Sequence, residues 1–379
     1  MKNLSVYIHI PFCKSKCYYC DFKSFQNCGT DDIEEYMKDL SQEIDFYKDL
    51  GKTHVIDTVF IGGGTPSMVS SEKIAKVMEK LREVFTFTRE PEISIEGNPD
   101  TLTYDKMARY FEIGINRLSI GLQSDSRKLL KTLGRIHTPE DFLESLGNAR
   151  EIGFKNINGD LMFGLPGQSL KTFHSTLQWI EQLDIPHISA YGLIINEETE
   201  LARRINQGII SEPDEDLEVD MYEDLRDFLR KNGYQHYEIS NFSKAGFQCR
   251  HNRTYWENKE YLGLGLGAHS SMGENRFFNA EDFSTYHQRI EAGEKPVIGE
   301  ERITKKERLK ESLMLGLRLI EGVDLTALEK RHKTLVDNHI MESLRGFIEN
   351  GLLESQQGRI RLTEKGLYLS NSVFREIIG

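Results

Sequence analysis

Residues 5–22 read SVYIHIPFCKSKCYYCDF, an apolar run typical of a β-strand followed by three cysteines. These cysteines have the spacing C-x-x-x-C-x-x-C, and the chain has five cysteines in all, an odd number that makes a poor disulfide framework. We therefore predict a metal centre held by Cys13, Cys17 and Cys20. A [4Fe–4S] cubane normally takes four thiolates, so three leave one iron open. An amino acid that chelates through its amine and carboxylate groups suits that open iron.

A zinc site is the alternative that these residues leave open. Structural zinc takes four protein ligands, and His9 or Cys28 is a candidate for the fourth. Buried cysteines without a metal are a second alternative. The tight loop and the strand before it favour the cluster.

Short β-type runs alternate with amphipathic helical segments through the first half of the chain. This alternation predicts consecutive βα units around a parallel sheet, and hence an α/β fold. The predicted strands are residues 5–10, 57–61, 92–96, 117–121, 156–162 and 187–194. The predicted helices are residues 31–50, 71–84, 103–113, 139–152 and 169–183.

Each predicted strand ends in, or is followed by, cysteines, glycines or polar side chains that could bind a ligand, rather than an ordinary turn. Ligands of parallel α/β proteins bind at the carboxyl ends of strands, so six such ends predict one shared site over a complete or partial βα barrel. The strand-end motifs are the cysteine loop, Gly62-Gly63-Gly64-Thr65-Pro66, Glu96-Gly97-Asn98-Pro99, Gln123-Ser124, Asp160 followed by Gly164-Leu165-Pro166, and Tyr191-Gly192.

The character of the sequence changes after residue 210. Residues 234–280 are rich in glycine, asparagine and aromatic side chains, which predicts irregular structure. Residues 349–366 read ENGLLESQQGRIRLTEKG, a succession of helix, strand, turn and strand that is typical of a winged helix. We expect three parts, at residues 1–210, 211–300 and 301–379.

The chain has 379 residues and a formal net charge of −12. This acidic balance argues against general nucleic-acid binding, so we expect the winged helix to serve docking or to act as a lid. No run approaches the ~18 apolar residues of a membrane-spanning helix. The N-terminus also lacks a signal-peptide cleavage site. We expect a cytoplasmic protein, because thiols stay reduced in that compartment.

The cysteine spacing after the first strand of a βα pattern resembles the signature of the radical S-adenosylmethionine superfamily. Tyr7-Ile8-His9-Ile10-Pro11-Phe12-Cys13 and Tyr18-Tyr19-Cys20-Asp21-Phe22 are similar to the oxygen-independent coproporphyrinogen III oxidases (HemN) and to the related HemW family, and the similarity covers essentially the whole chain. The resemblance implies a partial (β/α)6 radical SAM barrel with a C-terminal, mainly helical, winged-helix-like domain. It also implies a [4Fe–4S] cluster and S-adenosylmethionine as cofactors.

The same resemblance assigns roles to the strand-end motifs. The glycine motif is expected to hold the methionine amino group of S-adenosylmethionine, and Tyr19 is expected to contact ligand through its backbone. The residues expected to bind this cofactor are Tyr7, Tyr19, Gly63, Gly64, Thr65 and Glu96. Three positions match residues that contact a second S-adenosylmethionine in the oxidases: Gln123, Arg135 and Asp160. For Arg135, the alternative to cofactor binding is an ordinary ion pair on the protein surface.

Two departures separate this chain from the oxidases. The oxidases carry a fourth cysteine two residues after the third, where this chain has Asp21-Phe22. They also carry an N-terminal extension longer than the twelve residues that precede Cys13 here. Both departures match the HemW family.

Residues 250–256 read RHNRTYW and contain His-Asn-x-x-Tyr-Trp, which resembles the HemW signature associated with haem binding. A neutral imidazole is a good axial ligand of haem iron, so His251 is the expected ligand. Tyr255 and Trp256 offer flat faces to a macrocycle. The alternatives are a purely structural role for this histidine and iron ligation by His269 or Cys249.

The resemblance thus predicts a haem chaperone that binds haem and transfers it to haem-acceptor proteins, such as membrane-associated components of the respiratory chain. The alternative is a coproporphyrinogen III oxidase that decarboxylates two propionate groups by radical chemistry to give protoporphyrinogen IX. A third hypothesis is a radical enzyme on another substrate with a nucleic-acid-binding wing. We assign no catalytic residue, and enzymatic turnover stays open. A homodimer that depends on the cluster is a further expectation for this family.

Overall fold

The computed structural model describes residues 1–378, which form a mixed α/β protein with one large and one small sheet. The strands are β1 (Lys2–Ile10), β2 (His54–Gly63), β3 (Thr86–Gly97), β4 (Arg117–Gln123), β5 (Asn156–Phe163), β6 (His187–Gly192), β7 (Gln235–Glu238), β8 (Asn241–Ser243), β9 (Tyr261–Leu264), β10 (His269–Met272), β11 (Asn275–Asn279), β12 (Val297–Arg302), β13 (Val323–Asp324), β14 (Leu353–Gln356) and β15 (Arg359–Leu362). The helices are α1 (Thr30–Asp45), α2 (Lys48–Gly51), α3 (Ser71–Val84), α4 (Tyr104–Glu112), α5 (Arg127–Thr132), α6 (Pro139–Ile152), α7 (Leu170–Gln182), α8 (Glu200–Asn206), α9 (Glu215–Lys231), α10 (Arg250–Trp256), α11 (Phe283–Glu291), α12 (Lys305–Gly316), α13 (Leu325–His332), α14 (Asn338–Glu349), α15 (Glu364–Tyr368) and α16 (Ser370–Ile378), with a 3₁₀ turn at Pro66–Met68.

The large sheet has the order β12-β11-β10-β9-β1-β2-β3-β4-β5-β6-β8-β7. Strands β1 to β6 pair in chain order and all run parallel. Their register places Glu96 opposite Ser119, and Asp160 opposite Gly121. Because parallel strands end at one edge, the strand-end motifs are brought to a common region of the sheet.

The predicted α/β fold with a parallel sheet and a C-terminal helical region is confirmed. Each of the six predicted strands is present, and α3 and α6 have the predicted bounds. The helix expected over residues 31–50 is wrong as a single element. It ends at Asp45, where the Phe46 amide turns back to the carbonyls of Glu43 and Ile44, and a short helix follows at Lys48–Gly51.

The irregular structure expected over residues 234–280 is also wrong. This stretch contains β7 to β11 and α10, and β9 pairs in parallel with β1. The strands are only three to five residues long. Strands this short carry little periodic signal, and their partners lie far away in the sequence.

Local sequence explains how the elements form. In β1, Val6, Ile8 and Ile10 are fully buried, while Tyr7 and His9 between them are only partly buried, as the two-residue period of a strand requires. Most helices begin at a side-chain cap. In α6, for example, the Thr138 hydroxyl accepts the Asp141 amide, a common start signal that also satisfies an end-of-helix donor.

The C-terminal region contains the predicted helix, strand, turn and strand. Helix α14 precedes the hairpin of β14 and β15, and β13 completes a three-stranded sheet in the order β13-β15-β14. Gln357 and Gly358 form the two-residue turn with φ values of 52° and 79°, the positive values that tight hairpins favour. Among the described residues, no helix is both long and apolar enough to cross a membrane.

Candidate functional site

The cysteine loop is fixed between β1 and the glycine motif by backbone hydrogen bonds. The Gly64 amide donates to the Ile10 carbonyl at 2.8 Å, and the Thr65 amide donates to the Phe12 carbonyl at 2.7 Å. On its other side, the Cys13 amide donates to the carbonyl of Phe25 at 3.0 Å. The first thiol of the triad therefore has a defined position before any metal binds.

The three predicted cluster ligands line one cavity of about 370 Å³, which we call the main cavity. It lies where the carboxyl ends of the parallel strands meet. Its other lining residues are Ser15, Lys16, Tyr19, Phe22, Gly63, Gly64, Thr65, Glu96, Gly97, Asn98, Ser119, Gly121, Gln123, Arg135, Asp160, Met162 and Tyr191. All but one of the residues expected to contact S-adenosylmethionine are in this set.

The zinc alternative lacks its fourth ligand at the three thiols. Within residues 1–378, no three His, Cys, Asp or Glu side chains are arranged around one ion position. The proposed fourth zinc ligands, His9 and Cys28, do not line the main cavity. Both ring nitrogens of His9 are engaged, by the Tyr7 hydroxyl and the Lys23 carbonyl.

Two of the three thiols have a polar side chain within hydrogen-bonding reach. The Arg135 guanidinium donates to the Cys17 Sγ at 3.3 Å, and the Thr65 hydroxyl approaches the Cys13 Sγ at 3.7 Å. Burial is the main reason that the pKa of the Cys20 thiol is raised to about 11; the Phe22 amide opposes the rise, and the neighbouring Cys17 and Cys13 add to it. Metal binding must therefore displace protons from this loop.

Gly63 and Gly64 of the glycine motif lie so close to the end of β1 and the start of the cysteine loop that a side chain at either position would clash. Gly63 has a φ of +116°, and a Cβ on it would lie 2.5 Å from the His9 ring. A Cβ on Gly64 would lie 2.7 Å from the carbonyl oxygen of Phe12. The Gly63 amide donates to the Glu96 carboxylate at 3.2 Å. Glycine thus lets the end of β2 lie against both the cysteine loop and a half-buried carboxylate.

Two half-buried carboxyl groups, Glu96 and Asp160, form an acidic floor to the main cavity. Burial and, to a smaller extent, the charge of Asp160 raise the pKa of Glu96 to about 8, against the opposing effects of the Gly63 amide and the charge of Arg117. Burial also raises the pKa of Asp160, although Asn158 and Ser119 donate to it at 2.7 and 3.3 Å. Such a floor suits a ligand that carries an ammonium or sulfonium group.

Arg135 is not the surface ion pair considered as an alternative. Besides Cys17, its guanidinium donates to the Asn98 side chain at 3.1 Å and to the Gly121 carbonyl at 2.9 Å. It therefore joins the cysteine loop to the ends of β3 and β4. Gln123 ends β4 in a left-handed conformation with φ of 67° and lines the same cavity.

Tyr7 lies in a second, smaller space rather than in the main cavity. This inner chamber has a volume of about 160 Å³ and shares Glu96, Ser119, Asp160 and Tyr191 with the main cavity. The other residues that line the inner chamber are Tyr7, Phe60, Arg117, Asn158, Ser189, His251, Asn252 and Tyr255.

Of the three predicted haem residues, His251 and Tyr255 line the inner chamber, whereas Trp256 lies outside it. His251 is 1% exposed, and its Nδ1 and Nε2 are hydrogen-bonded to the hydroxyls of Thr58 at 2.8 Å and Tyr255 at 2.9 Å. Burial, with a smaller effect of Arg117, lowers the pKa of His251 to about 3, so the imidazole is neutral. Trp256 does not line the inner chamber, and the Arg318 guanidinium covers its ring at 4.4 Å from the centroid.

The two alternative iron ligands differ in access. His269 is exposed and its ring stacks on Phe278 with 5.2 Å between centroids. Cys249 is fully buried and its thiol donates to the Glu92 carboxylate at 3.6 Å. Of these two side chains, only the histidine presents a ligand atom to a molecule arriving from solvent.

Sequence reasoning missed Arg117, Asn158 and Asn252, which line the inner chamber. A signal was available in β4, whose sequence is RLSIGLQ. Alternate residues of a strand share a face, and here that face carries Arg117, Ser119, Gly121 and Gln123. A polar face on a strand between two other buried strands marks an interior site.

The chain is similar to known proteins along its whole length. Residues 7–180 match the family model described as the radical SAM superfamily, and residues 303–369 match the HemN C-terminal domain. The heme chaperone HemW of Bacillus subtilis is 37% identical over 99% of both chains. HemW of Lactococcus lactis is 35% identical over 100% of this chain and 98% of its own.

The solved structure of coproporphyrinogen III oxidase HemN from Escherichia coli, described as a radical SAM enzyme, superposes with a TM-score of 0.88 at 25% identity. The superposition covers 99% of this chain and 90% of the oxidase. It accounts for the sheet with its cysteine loop and for the C-terminal region together. With cysteine loop, glycine motif and His-Asn-x-x-Tyr-Trp segment all in place, this chain belongs to the HemW family of the radical SAM superfamily.

Proposed function

We propose that this protein is a haem chaperone that binds haem and transfers it to haem-acceptor proteins, and that it carries a [4Fe–4S] cluster and S-adenosylmethionine. The observation that carries the proposal is a triad of thiols opening into a cavity of about 370 Å³, in a chain that aligns with HemW over 99% of its length. Acceptors in the respiratory chain, a cytoplasmic location and a cluster-dependent homodimer remain predictions of the family resemblance.

The main cavity contains side chains and backbone groups that could hold both the [4Fe–4S] cluster and S-adenosylmethionine. Cys13, Cys17 and Cys20 would hold three irons and leave the fourth for the amine and carboxylate of S-adenosylmethionine. The glycine motif and Glu96 would take the ammonium group, because they present carbonyl and carboxylate oxygens at the cavity wall. A bound cluster of this kind supplies a single electron to the sulfonium. The chain itself positions the ligand, shields it from water and balances its charge.

Haem binding by His251 requires a local opening of the protein. The inner chamber of about 160 Å³ is far too small for a porphyrin, and both imidazole nitrogens are already hydrogen-bonded. Ligation through Nε2 would require release of the Tyr255 hydroxyl from that nitrogen. Such an opening fits a carrier, because the same hydrogen bonds would help to expel haem when it closes again.

The decisive experiment is a haem titration of the anaerobically reconstituted protein, followed by transfer to an apo-acceptor. We expect His251→Ala to lose the axial-ligand spectrum and most of the affinity, and His269→Ala to retain both. Thr58→Val is the matched control for the spectrum: it removes one hydrogen bond of the imidazole but keeps the imidazole, so we expect the axial-ligand spectrum to persist and haem affinity not to fall. Unchanged spectrum and affinity in His251→Ala would exclude this ligand, and loss in His269→Ala would point to the exposed site.

Coproporphyrinogen III oxidation is the second candidate. It is favoured by the TM-score of 0.88 to HemN and by Gln123, Arg135 and Asp160 meeting at one cavity. Asp21-Phe22 in place of the fourth cysteine counts against it. An anaerobic assay with reconstituted cluster, reductant and coproporphyrinogen III decides: we expect no vinyl product, and formation of protoporphyrinogen IX would replace the chaperone proposal with the oxidase.

A further inference from the structure

The largest fully buried side chain in the described residues is Arg117, the first residue of β4. It is 2% exposed and lines the inner chamber. Its guanidinium makes no hydrogen bond and no ion pair within 4 Å to any residue from 1 to 378, and its Nε is sealed from solvent without an acceptor. A guanidinium has five donors, and leaving them unmatched inside a protein is costly.

The nearby carboxylates do not supply the missing acceptor, because neither Glu92 nor Asp160 has an oxygen within 4 Å of the guanidinium nitrogens, and their oxygens accept from other donors. Glu92 accepts the backbone amides of Arg250 and His251 at 3.0 Å each. Asp160 accepts from Asn158 and from Ser119. Glu92 and Asp160 balance part of the positive charge from a distance, but they leave the donors of Arg117 free.

A second donor group faces the same space. Asn252 lines the inner chamber, and its side-chain amide makes no hydrogen bond to any of the residues described. Asn252 belongs to the His-Asn-x-x-Tyr-Trp segment, in which His251 and Tyr255 are hydrogen-bonded to each other. The segment therefore places a free amide in the chamber that also holds the free guanidinium.

The size and access of the inner chamber define what it can hold. Its volume of about 160 Å³ corresponds to roughly five water molecules at ~30 Å³ each, enough for a carboxylate with a short alkyl stem. Its wall is shared with the main cavity at Glu96, Ser119, Asp160 and Tyr191, so we infer that a ligand enters from that side. Burial raises the pKa of Glu96 to about 8, so in the absence of a cationic ligand this carboxyl is largely uncharged at pH 7, and Asp160 is the group on this wall that opposes an anion. A planar guanidinium matches the two oxygens of a carboxylate better than it matches a spherical ion.

We propose that Arg117 and Asn252 form a subsite for a carboxylate in the inner chamber, filled through the main cavity. The subsite does not depend on the chaperone function, because it is defined by the protein without metal, cofactor or haem. A free small carboxylate and the propionate arm of a larger ligand share this chemistry.

The test is a titration of the apo-protein with formate, acetate and propionate against sodium chloride of equal ionic strength, followed by thermal unfolding. A ligand that binds only the folded state raises Tm as its concentration rises. We expect a carboxylate-specific rise for the wild type. Arg117→Lys keeps the positive charge but loses the planar guanidinium with its paired N–H donors, so we expect the apparent acetate affinity to fall about tenfold or more.

The control is Arg109→Met, because Arg109 is a surface residue paired with Glu72 and Glu112; we expect this variant to respond to acetate as the wild type does.

A second variant keeps the test decisive if substitution of Arg117 prevents folding. Asn252→Asp places a carboxylate of the chain itself in the inner chamber, so we expect a higher Tm than the wild type and no further response to acetate. Equal responses to carboxylate and chloride in the wild type, or an acetate response that survives in both Arg117→Lys and Asn252→Asp, would overturn the subsite.

The source of the carboxylate follows from a competition experiment. If the occupant is a haem propionate, acetate should weaken the binding of haem but not of its dimethyl ester. If the occupant is a free acid, acetate should leave both affinities unchanged while its own effect on Tm persists. Either pattern supports the subsite, whereas a chamber that takes only water gives no acetate effect at all.

Discussion

The Thr58 hydroxyl and the His251 Nδ1 lie 2.8 Å apart in the protein interior. This hydrogen bond ties β2 of the parallel sheet to α10, and on the other side of the ring the Tyr255 hydroxyl holds Nε2 at 2.9 Å. The Phe60 ring stacks on the imidazole at 5.3 Å between centroids. The histidine that the family resemblance assigns as a haem ligand is thus an internal residue with both ring nitrogens hydrogen-bonded, and the proposed ligation of haem would require release of its Nε2.

Tyr255→Phe is expected to strengthen haem binding. The substitution keeps the ring but removes the hydroxyl that occupies Nε2, so haem iron no longer competes with a hydrogen bond worth about 0.5–1.5 kcal/mol. A rise in affinity of roughly two- to tenfold should follow in an equilibrium haem titration.

Tyr261→Phe is the matched control, since that neighbouring ring packs edge-on against Tyr255 without bonding the imidazole. Identical haem affinities for wild type and Tyr255→Phe would mean that His251 does not ligate iron through Nε2.

Cys17→Ser is expected to abolish assembly of the cluster. It removes one of three thiolates, and the serine hydroxyl beside Arg135 is a poor iron ligand. Iron and sulfide per chain, together with the electron paramagnetic resonance of the reduced protein, measure the loss. Cys28→Ser is the control, because Cys28 stands outside the main cavity. A full cluster in Cys17→Ser, or its loss in Cys28→Ser, would contradict the assignment.

Gly63→Ala is expected to destabilise the protein by roughly 1–3 kcal/mol and to weaken S-adenosylmethionine binding. The new Cβ would meet the His9 ring at a φ of +116° and push the glycine motif away from the cysteine loop. Denaturant unfolding of the apo-protein and equilibrium dialysis of the cofactor measure the two effects.

Gly147→Ala supplies the contrast, since Gly147 lies within α6 and nothing is within 4 Å of its added Cβ. That variant should gain about 0.5–1 kcal/mol in helix stability. Similar behaviour of the two variants would show that close packing at Gly63 is unimportant.

Stability should fall with rising pH because of Glu43. Burial raises the pKa of this carboxyl from 4.5 to about 7, although the Tyr286 hydroxyl, the Gly265 amide and the Asn279 side chain donate to it. The folded state therefore binds a proton that the unfolded state has lost, so the contribution is complete below pH 4.5 and disappears as pH rises through 7. Its upper limit is ~3 kcal/mol.

The measurement is the difference in unfolding free energy between wild type and Glu43→Gln at several pH values. We expect this difference to decrease from pH 5 to pH 8. Glu151→Gln, on the exposed side of α6, is the surface control. A difference that stays constant over this range would remove Glu43 as the source of the pH dependence.

Most of the fold could be predicted from sequence because its signals are local. The strands β1 to β6 and helices α3 and α6 have a strong hydrophobic periodicity, α6 also has a capping box, and all of them occur where predicted. The short strands β7 to β11 could not be predicted, since pairing with distant partners, rather than local pattern, makes them strands. The split of the predicted helix 31–50 depended on a single turn at Phe46.

The sequence by itself determined the chemistry of the main cavity. Three cysteines on one loop, a glycine motif and carboxylates at strand ends converge because parallel strands end at one edge. Only the tertiary structure decided what surrounds His251, because its partner Thr58 is 193 residues away in the chain. The same holds for Arg117, whose unmatched guanidinium becomes visible only when every possible acceptor has a position. Burial and hydrogen bonding are properties of the folded neighbourhood, and no local pattern encodes them.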